Sequence, residues 1–235
     1  MTNRTAETSR QFYAKVAGFT ILFYITIGLA VEALSRGATS TEGTAAILMR
    51  IAEHESVVRV TILLELLECF SAVVLAVTLY GITSDESHEL AMLGLVCRVC
   101  EGVLGALGIR NKLGLLWLAT AGAGAGSPDA ATVKTLGDFL LMPAQSAMIG
   151  APFFAMGNMI FAYLLLRGRI VPVPLAGFGV FASVLLVVGV PLQLAGFFNG
   201  PMTWYMWLPM LAFLIPLGLW LLIKGAAMPA RRQPA

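Results

Sequence analysis

Six long and nearly uninterrupted apolar runs limit what this chain can fold into more than any other feature. A membrane-spanning α-helix needs about 20 consecutive apolar residues, and each run is about that long or longer. Their continuity predicts helices, because membrane β-barrels are built from strands of alternating polarity. The runs are Val16–Leu34, Val57–Ile82, Leu90 to about Ala121, Phe139–Leu166, Ile170–Gly196 and Thr203–Ile223.

Composition excludes the main soluble alternatives. Of the 235 residues, 58% are hydrophobic and 12% are charged, whereas about 25% of the residues in a soluble domain are charged. The remaining polar surface is too small to cover a soluble globule, which excludes a disordered chain, a secreted disulfide scaffold and a conventional cytosolic enzyme. The formal charge of +2, from 15 basic and 13 acidic residues, is too balanced to indicate nucleic-acid binding.

We therefore predict an all-α, polytopic membrane protein with six transmembrane helices. Residues 1–235 form a single integral-membrane domain whose partner is the lipid bilayer, with polar segments at 1–15 and 225–235. In the first outer loop, Ile47, Leu48 and Ile51 form an apolar stripe at helical spacing. This stripe predicts a short amphipathic helix that lies on the bilayer or on the mouth of the bundle.

The basic residues predict the orientation. With six spans, both termini lie on the same side of the membrane as the connections at 83–89 and 167–169. The opposite side has three basic residues in loops and three near helix ends. The terminal side holds eight: Arg4, Arg10, Lys15, Arg167, Arg169, Lys224, Arg231 and Arg232. Basic loop residues stay on the cytoplasmic side of a membrane. We therefore expect a multi-pass protein of the cell membrane with both termini in the cytoplasm.

Charged residues inside the second and third runs are the candidate functional groups, since charges within a membrane are costly and mark functional sites. They are Glu65 and Glu68 in the second run and Arg98, Glu101, Arg110 and Lys112 in the third. The two helices are antiparallel about residue 86, so residues whose numbers sum to about 172 lie at equal depth. This rule places Glu68 near Glu101 and Glu65 near Arg110.

Pairing these charges leaves one carboxylate over. If Glu65 pairs with Arg110 and Glu101 with Arg98, Glu68 has no cation. A buried carboxylate beside another one is expected to hold its proton. The hypothesis is that Glu68 and Glu101 share a proton, or bind a cation or a cationic group of a ligand.

Three functions remain open from these residues. The first is binding of a small or lipophilic ligand at the carboxylate and arginine groups, with transport as one outcome and a homodimer as the transporting form. The second is a membrane-embedded enzyme acting on a lipophilic substrate such as an isoprenoid, with Glu68 or Glu101 as acid and base and Arg98 or Arg110 holding an anionic group. The third is an accessory protein whose ion pairs only fix helix register.

Metal and thiol chemistry are not expected. No spacing of histidine, cysteine and carboxylate resembles a metal site, and no cofactor motif is present. Cys97 and Cys100 form a C-x-x-C pair, but the pair lies inside an apolar helix instead of opening one. A helix N-terminus is what lowers a thiol pKa in redox motifs, so we interpret these thiols as buried and inert.

Several short motifs resemble one bacterial family. They are Ala17-Gly18 with Tyr24 and Glu32, His54-Glu55-x-x-x-Arg59, Arg98-x-x-Glu101, Tyr163-Leu164-x-x-Arg167-Gly168, and Leu219-Trp220-Leu221-Leu222-x-Lys224-Gly225. The family is the multi-pass membrane proteins catalogued as domain of unknown function 4386, and the resemblance covers nearly the whole chain.

This resemblance implies a six-helix protein of the bacterial inner membrane and assigns no activity. It adds Glu55 and Arg59 as candidate ligand-binding residues at the outer mouth. Family members often carry a histidine in the fourth helix where this chain has Asn158. They also often carry an acidic residue in the sixth helix, where this chain has only Leu211–Ile215.

Overall fold

In a computed structural model, the described part of the chain is helical apart from short connections. The description covers residues 2–39, 43–120, 129–141, 149–197 and 202–227. Eight helices fall in these ranges: α1 Thr2–Thr39, α2 Thr44–Glu53, α3 Glu55–Thr83, α4 His88–Thr120, α5 Ala130–Leu141, α6 Ala151–Arg167, α7 Val173–Leu194 and α8 Met202–Ile223. The all-α expectation is met.

Six of the helices form a closed ring. In order, α1 packs on α3, α3 on α4, α4 on α6, α6 on α7 and α7 on α8, and α8 returns to α1. The connections from α3 to α4 and from α6 to α7 are short, so each of these two pairs of neighbours runs antiparallel. The ring buries a core of aliphatic and aromatic side chains, with Phe161, Leu186, Phe213 and Leu221 almost fully inaccessible.

Three helices of the ring, α1, α3 and α4, are much longer than a bilayer is thick. With 29 and 33 residues, α3 and α4 extend about 44 and 50 Å, against a hydrocarbon core of about 30 Å. The apolar residues at their projecting ends need another cover. It is provided by α2 and α5, which pack on the end of α4 and bury Leu48, Ile51, Leu115 and Leu116 together.

The predicted fourth span is wrong in its boundaries. The sequence predicts one helix over Phe139–Leu166, whereas α5 ends at Leu141 and a separate helix, α6, starts at Ala151. Pro152 lies in the first turn of α6, where the missing proline N–H and its fixed φ favour a helix start. As a result, Leu140 and Leu141 belong to the cover over α4, while Phe139 on the same helix is exposed.

Length and composition make five helices long and apolar enough to cross a membrane: Glu7–Arg36, Glu55–Thr83, His88–Thr120, Val173–Leu194 and Tyr205–Ile223. The sixth member of the ring, α6, is apolar but has only 17 residues. These helices indicate a multi-pass membrane protein.

Residues 2–15 of the predicted polar segment form the first part of α1, which closes one end of the ring. The Arg10 guanidinium, 7% exposed, donates to the Ile82 carbonyl over 3.0 Å and pairs with Asp85 at 3.5 Å. Gln11 donates to the carbonyl of Ala226 over 2.8 Å. Residues 228–235 of the predicted C-terminal segment lie outside the described residues. Below, this side of the molecule is called the Arg10 end, and the opposite side the α2/α5 end.

Candidate functional site

Arg98, near the middle of α4, is the most deeply buried charge in the described residues. It is 1% exposed, and its guanidinium carbon lies 4.9 Å from the ring centre of Phe154 and 5.6 Å from that of Tyr24. Gly157 makes room for it, since a β-carbon there would lie 2.9 Å from the Arg98 Cγ. Aromatic faces attract a cation, so α1 and α6 hold this side chain from two sides.

Glu101, one turn after Arg98 on α4, neutralises that charge. Its Oε2 lies 2.5 Å from Nη1 of Arg98, and the phenol of Tyr24 donates to its Oε1 over 2.9 Å. The sequence predicted the Arg98–Glu101 pair, and the pair is present. Because both partners are on α4, the ion pair itself joins no two helices, and the link from α4 to α1 is made by Tyr24.

Several buried polar atoms at this level lack hydrogen-bond partners among the described residues. They are Nε and Nη1 of Arg98, Oε2 of Glu101 and Nδ2 of Asn158. Of these atoms, Glu101 Oε2 and Arg98 Nη1 satisfy each other in the ion pair, which leaves Nε of Arg98 and Nδ2 of Asn158 without a partner among the described residues. Asn158, 4% exposed, follows Gly157 and lies one turn from Phe154. Buried polar atoms without partners are rare in native proteins.

Glu68, near the middle of α3, faces α1. Its Oε1 would be 3.2 Å from a β-carbon at Gly28, so the absence of a side chain at Gly28 lets the carboxylate approach the α1 backbone. Glu68 is half-buried and forms no ion pair with any described residue. The charged groups within electrostatic reach of it are Glu65, Glu101, Arg98 and Lys112.

Glu65 pairs with Lys112, and the predicted pairing with Arg110 is wrong. The ammonium of Lys112 also donates to the Ser35 hydroxyl over 3.3 Å. An α-helix turns about 100° per residue, so Lys112 lies about 20° from Glu101 around α4, whereas Arg110 lies about 180° away. Arg110 is accordingly exposed on the opposite face of α4. Depth along the helix does not show whether Arg110 or Lys112 is the partner of Glu65. The rotation about the helix axis does distinguish these two cations.

The remaining predicted site residues lie away from Arg98. Glu55 and Arg59 form an exposed pair in the first turns of α3, with Oε1 and Nη2 2.6 Å apart. Cys69, Cys97 and Cys100 are free thiols. The sequence interpretation did not include Tyr24, Phe154 and Gly157 among the site residues, because their roles depend on how α1 and α6 pack against α4.

Comparison with known families decides the affiliation of the chain. The family model described as "Domain of unknown function (DUF4386)" matches residues 16–225. The chain belongs to this family. Comparison with curated proteins gave no match, and neither did comparison with solved structures.

The matched range contains every residue described around Arg98 and all of the ring of helices except residues 2–15 of α1. The resemblance stated from the short motifs is therefore confirmed. The description of the family names no activity, so the function has to be argued from the site itself.

Proposed function

We propose that this protein crosses the bacterial inner membrane six times, with α6 as the shortest span and both termini cytoplasmic, and that it binds a small or lipophilic ligand. The proposed binding site, called here the central polar site, consists of Tyr24, Glu68, Arg98, Glu101 and Asn158. The observation that carries this proposal is the set of buried donors without partners, above all Nε of Arg98.

The chemistry of these groups defines the ligand. Leaving a buried donor unsatisfied costs about 1–3 kcal/mol, and more for a charged group. A carbonyl, carboxylate or phosphate oxygen between Arg98 and Asn158 would satisfy donors from both α4 and α6. Glu68, which has no cation paired with it, would accept a hydrogen bond or a positive charge from the same ligand. The ligand is thus expected to carry both an oxygen acceptor and a donor or cationic group.

Access is proposed from the α2/α5 end. The Arg10 end is closed by hydrogen bonds from Arg10 and Gln11 to backbone carbonyls and by the backbone bond between Ala227 and Ile170 over 2.9 Å. At the other end, α2 rests on α4 and α5 and acts as an amphipathic cover. Transport is one outcome of binding, and it would require the Arg10 end to open, with a homodimer as the proposed transporting form.

The accessory function has less support than ligand binding. Ion pairs that fix helix register have to connect different helices, but Arg98 and Glu101 belong to the same helix. Within the described ranges, the Glu65–Lys112 pair is the one ion pair that links α3 to α4. A membrane-embedded acid–base enzyme remains the second candidate, since the Glu68 carboxylate has no ion-pair partner among the described residues and is therefore the group in the site best suited to take up and release a proton.

The experiment is mass spectrometry of the small molecules that co-purify with the protein. The wild type is compared with the double variant Glu68→Gln, Glu101→Gln. The control double variant, Glu53→Gln, Glu89→Gln, removes the same number of negative charges from exposed positions outside the site. Helical content and elution volume establish that each protein is folded.

A compound retained by the wild type and by the control, and lost from the folded site variant, would support the central polar site. Conversion of that compound on incubation would favour the enzyme, whereas retention without conversion would favour binding and transport. Identical profiles from three folded proteins would contradict ligand binding and favour the accessory function.

A further inference from the structure

A second site lies at the Arg10 end, outside the central polar site. Between the turn after α6 and the end of α8 there is a shallow groove of about 360 Å³. We propose that this groove binds the phosphate group of an anionic phospholipid in the adjacent leaflet. The residues that the proposal uses are Arg169, Pro172, Val173, Trp220 and Lys224, all of which line the groove.

Two cations supply the charge complementarity. Arg169 and Lys224 come from different helix ends, both are exposed, and neither forms an ion pair in the described ranges. No acidic side chain in the described ranges lines the groove; at the same end, Asp85 pairs with Arg10 and Glu86 lies beside Gly168. The groove therefore presents two positive charges to whatever lies against it.

The surroundings of the groove indicate a lipid. Below Lys224, the outer face of α8 is apolar and exposed, with Ile223 70% and Trp220 37% accessible. On the other side, Val173 is 49% accessible at the start of α7. A phosphodiester held at Arg169 and Lys224 would lie at the level where a span ends, with its acyl chains along these side chains. Basic pockets between spanning helices at this level suit anionic headgroups.

The backbone at Arg169 sets the direction of one cation. Its φ is +49°, a left-handed conformation that costs a residue other than glycine about 1 kcal/mol or more. The carbonyl groups of Leu166 and Leu165 accept hydrogen bonds from the N–H groups of Arg169 and Ile170, which closes the end of α6 and holds the turn. Substitution by glycine relieves this conformation, so Arg169→Gly removes the charge without threatening the fold.

The test is native mass spectrometry of the delipidated full-length protein, titrated with phosphatidylglycerol, with phosphatidylcholine and with inorganic phosphate. The groove variant is Arg169→Gly, Lys224→Gln. The matched control, Lys15→Gln, Arg167→Gln, removes two exposed cations from the same end but outside the groove. Helical content and elution volume are measured for both.

We expect the groove variant to bind phosphatidylglycerol roughly 10- to 30-fold more weakly than the wild type, because each basic residue near an anionic headgroup strengthens binding about fivefold. The control should change less than threefold, and phosphatidylcholine should bind weakly to all three proteins.

Equal phosphatidylglycerol affinity of the groove variant and the control would overturn the proposal. Tight binding of inorganic phosphate that excludes the lipid would also overturn it, since the site would then serve a free anion. Glu68→Gln, Glu101→Gln should leave lipid binding intact, which separates this site from the central one.

Discussion

At the scale of single residues, the defining feature is the guanidinium of Arg98, which is 1% exposed and whose Nε has no hydrogen-bond partner among the described residues. Arg98 is neutralised by Glu101 and contacts the faces of Tyr24 and Phe154. Removing one member of a buried pair leaves the other as an uncompensated charge, which costs far more than removing both. The pair can therefore be tested as a unit.

Arg98→Met is expected to lower the free energy of unfolding by about 3–5 kcal/mol, because it leaves Glu101 buried without its cation. Adding Glu101→Gln should recover part of this loss. Reversible unfolding in detergent micelles, with a double-mutant cycle, measures both effects. The control is the double variant Arg59→Gln, Glu55→Gln, which removes an exposed ion pair. It should change the free energy of unfolding by less than about 1 kcal/mol. If the losses at Arg98 and Glu101 simply add, the two charges are not coupled.

The sequence predicted part of this arrangement. The Arg98–Glu101 pair follows from spacing alone, because residues three apart share a helix face. The partner of Glu65 was mispredicted because depth was considered without rotation about the helix axis. Tyr24 and Phe154 could not be found by either argument, since their contacts depend on which faces of α1 and α6 are turned toward α4.

At the scale of helices, the backbones of α1 and α8 approach each other closely at Gly18. A β-carbon at Gly18 would lie 2.5 Å from the amide nitrogen of Leu222 and 2.6 Å from the carbonyl oxygen of Gly218. Those atoms belong to the backbone and cannot rotate away. Glycine at this position lets α8 pack closely on α1, as small residues do where membrane helices touch.

Gly18→Ala is therefore expected to destabilise the protein by about 1–3 kcal/mol through overpacking. Gly177 in α7 is the matched control, since a β-carbon there meets nothing within 4 Å. Gly177→Ala should be neutral or stabilising by up to about 1 kcal/mol, the intrinsic helix preference of alanine. Thermal unfolding of both variants under identical detergent conditions gives the comparison, and equal effects would refute the close packing of α1 and α8.

The contact between α2 and α5 should depend on pH. The Asp138 carboxylate accepts hydrogen bonds from Lys134, at 2.7 Å, and from the Thr44 hydroxyl. These bonds, that of Lys134 first, hold the pKa of Asp138 below its ordinary value of 3.8. A lowered folded-state pKa means that the stabilisation is complete above about pH 4 and is lost as the pH falls through the folded value.

Hydrogen exchange of residues 130–141 should accordingly accelerate, relative to a Thr44→Val variant, when the pH is lowered from 5 to 3. The Thr44→Val variant lacks the bond from α2 at every pH, so its exchange should respond less to acid. Rates are corrected for the intrinsic pH dependence of exchange with an unstructured peptide. An identical acid response in both proteins would show that Asp138 does not hold α5 to α2.

At the scale of the whole molecule, the ring has one tightly closed end. Arg10 and Gln11 reach from α1 to the carbonyl of Ile82 in the last turn of α3 and to that of Ala226 after α8, while α2 and α5 cover the opposite end. This asymmetry is the reason why we propose the α2/α5 end as the entrance to the central polar site.

Arg10→Met is expected to lower the free energy of unfolding by about 1–3 kcal/mol, because the Ile82 carbonyl loses its charged donor. Lys15→Gln, five residues further along α1 and exposed, should change it by less than about 0.5 kcal/mol. Thermal unfolding measures both. An Arg10 variant as stable as the Lys15 variant would contradict a closed Arg10 end.

Most of the long helices could be predicted from the sequence. The apolar runs define α1, α3, α4, α7 and α8, because a bilayer demands continuous apolar helices of a minimum length. The break between α5 and α6 could not be predicted from the sequence, because the apolar residues on both sides of it suit either one membrane span or a helix packed on α4. Ring closure of α8 on α1 depends on close contact at Gly18, which hydropathy does not detect.

One measurement tests the central polar site most directly: an experimental density map of the wild-type protein that resolves ordered water, compared with a map of Arg98→Met. We predict non-protein density within hydrogen-bond distance of Arg98 Nε and Asn158 Nδ2 in the wild type, and its loss in the variant. A wild-type map in which both side chains bond only to protein groups, with no density between them, would contradict the site.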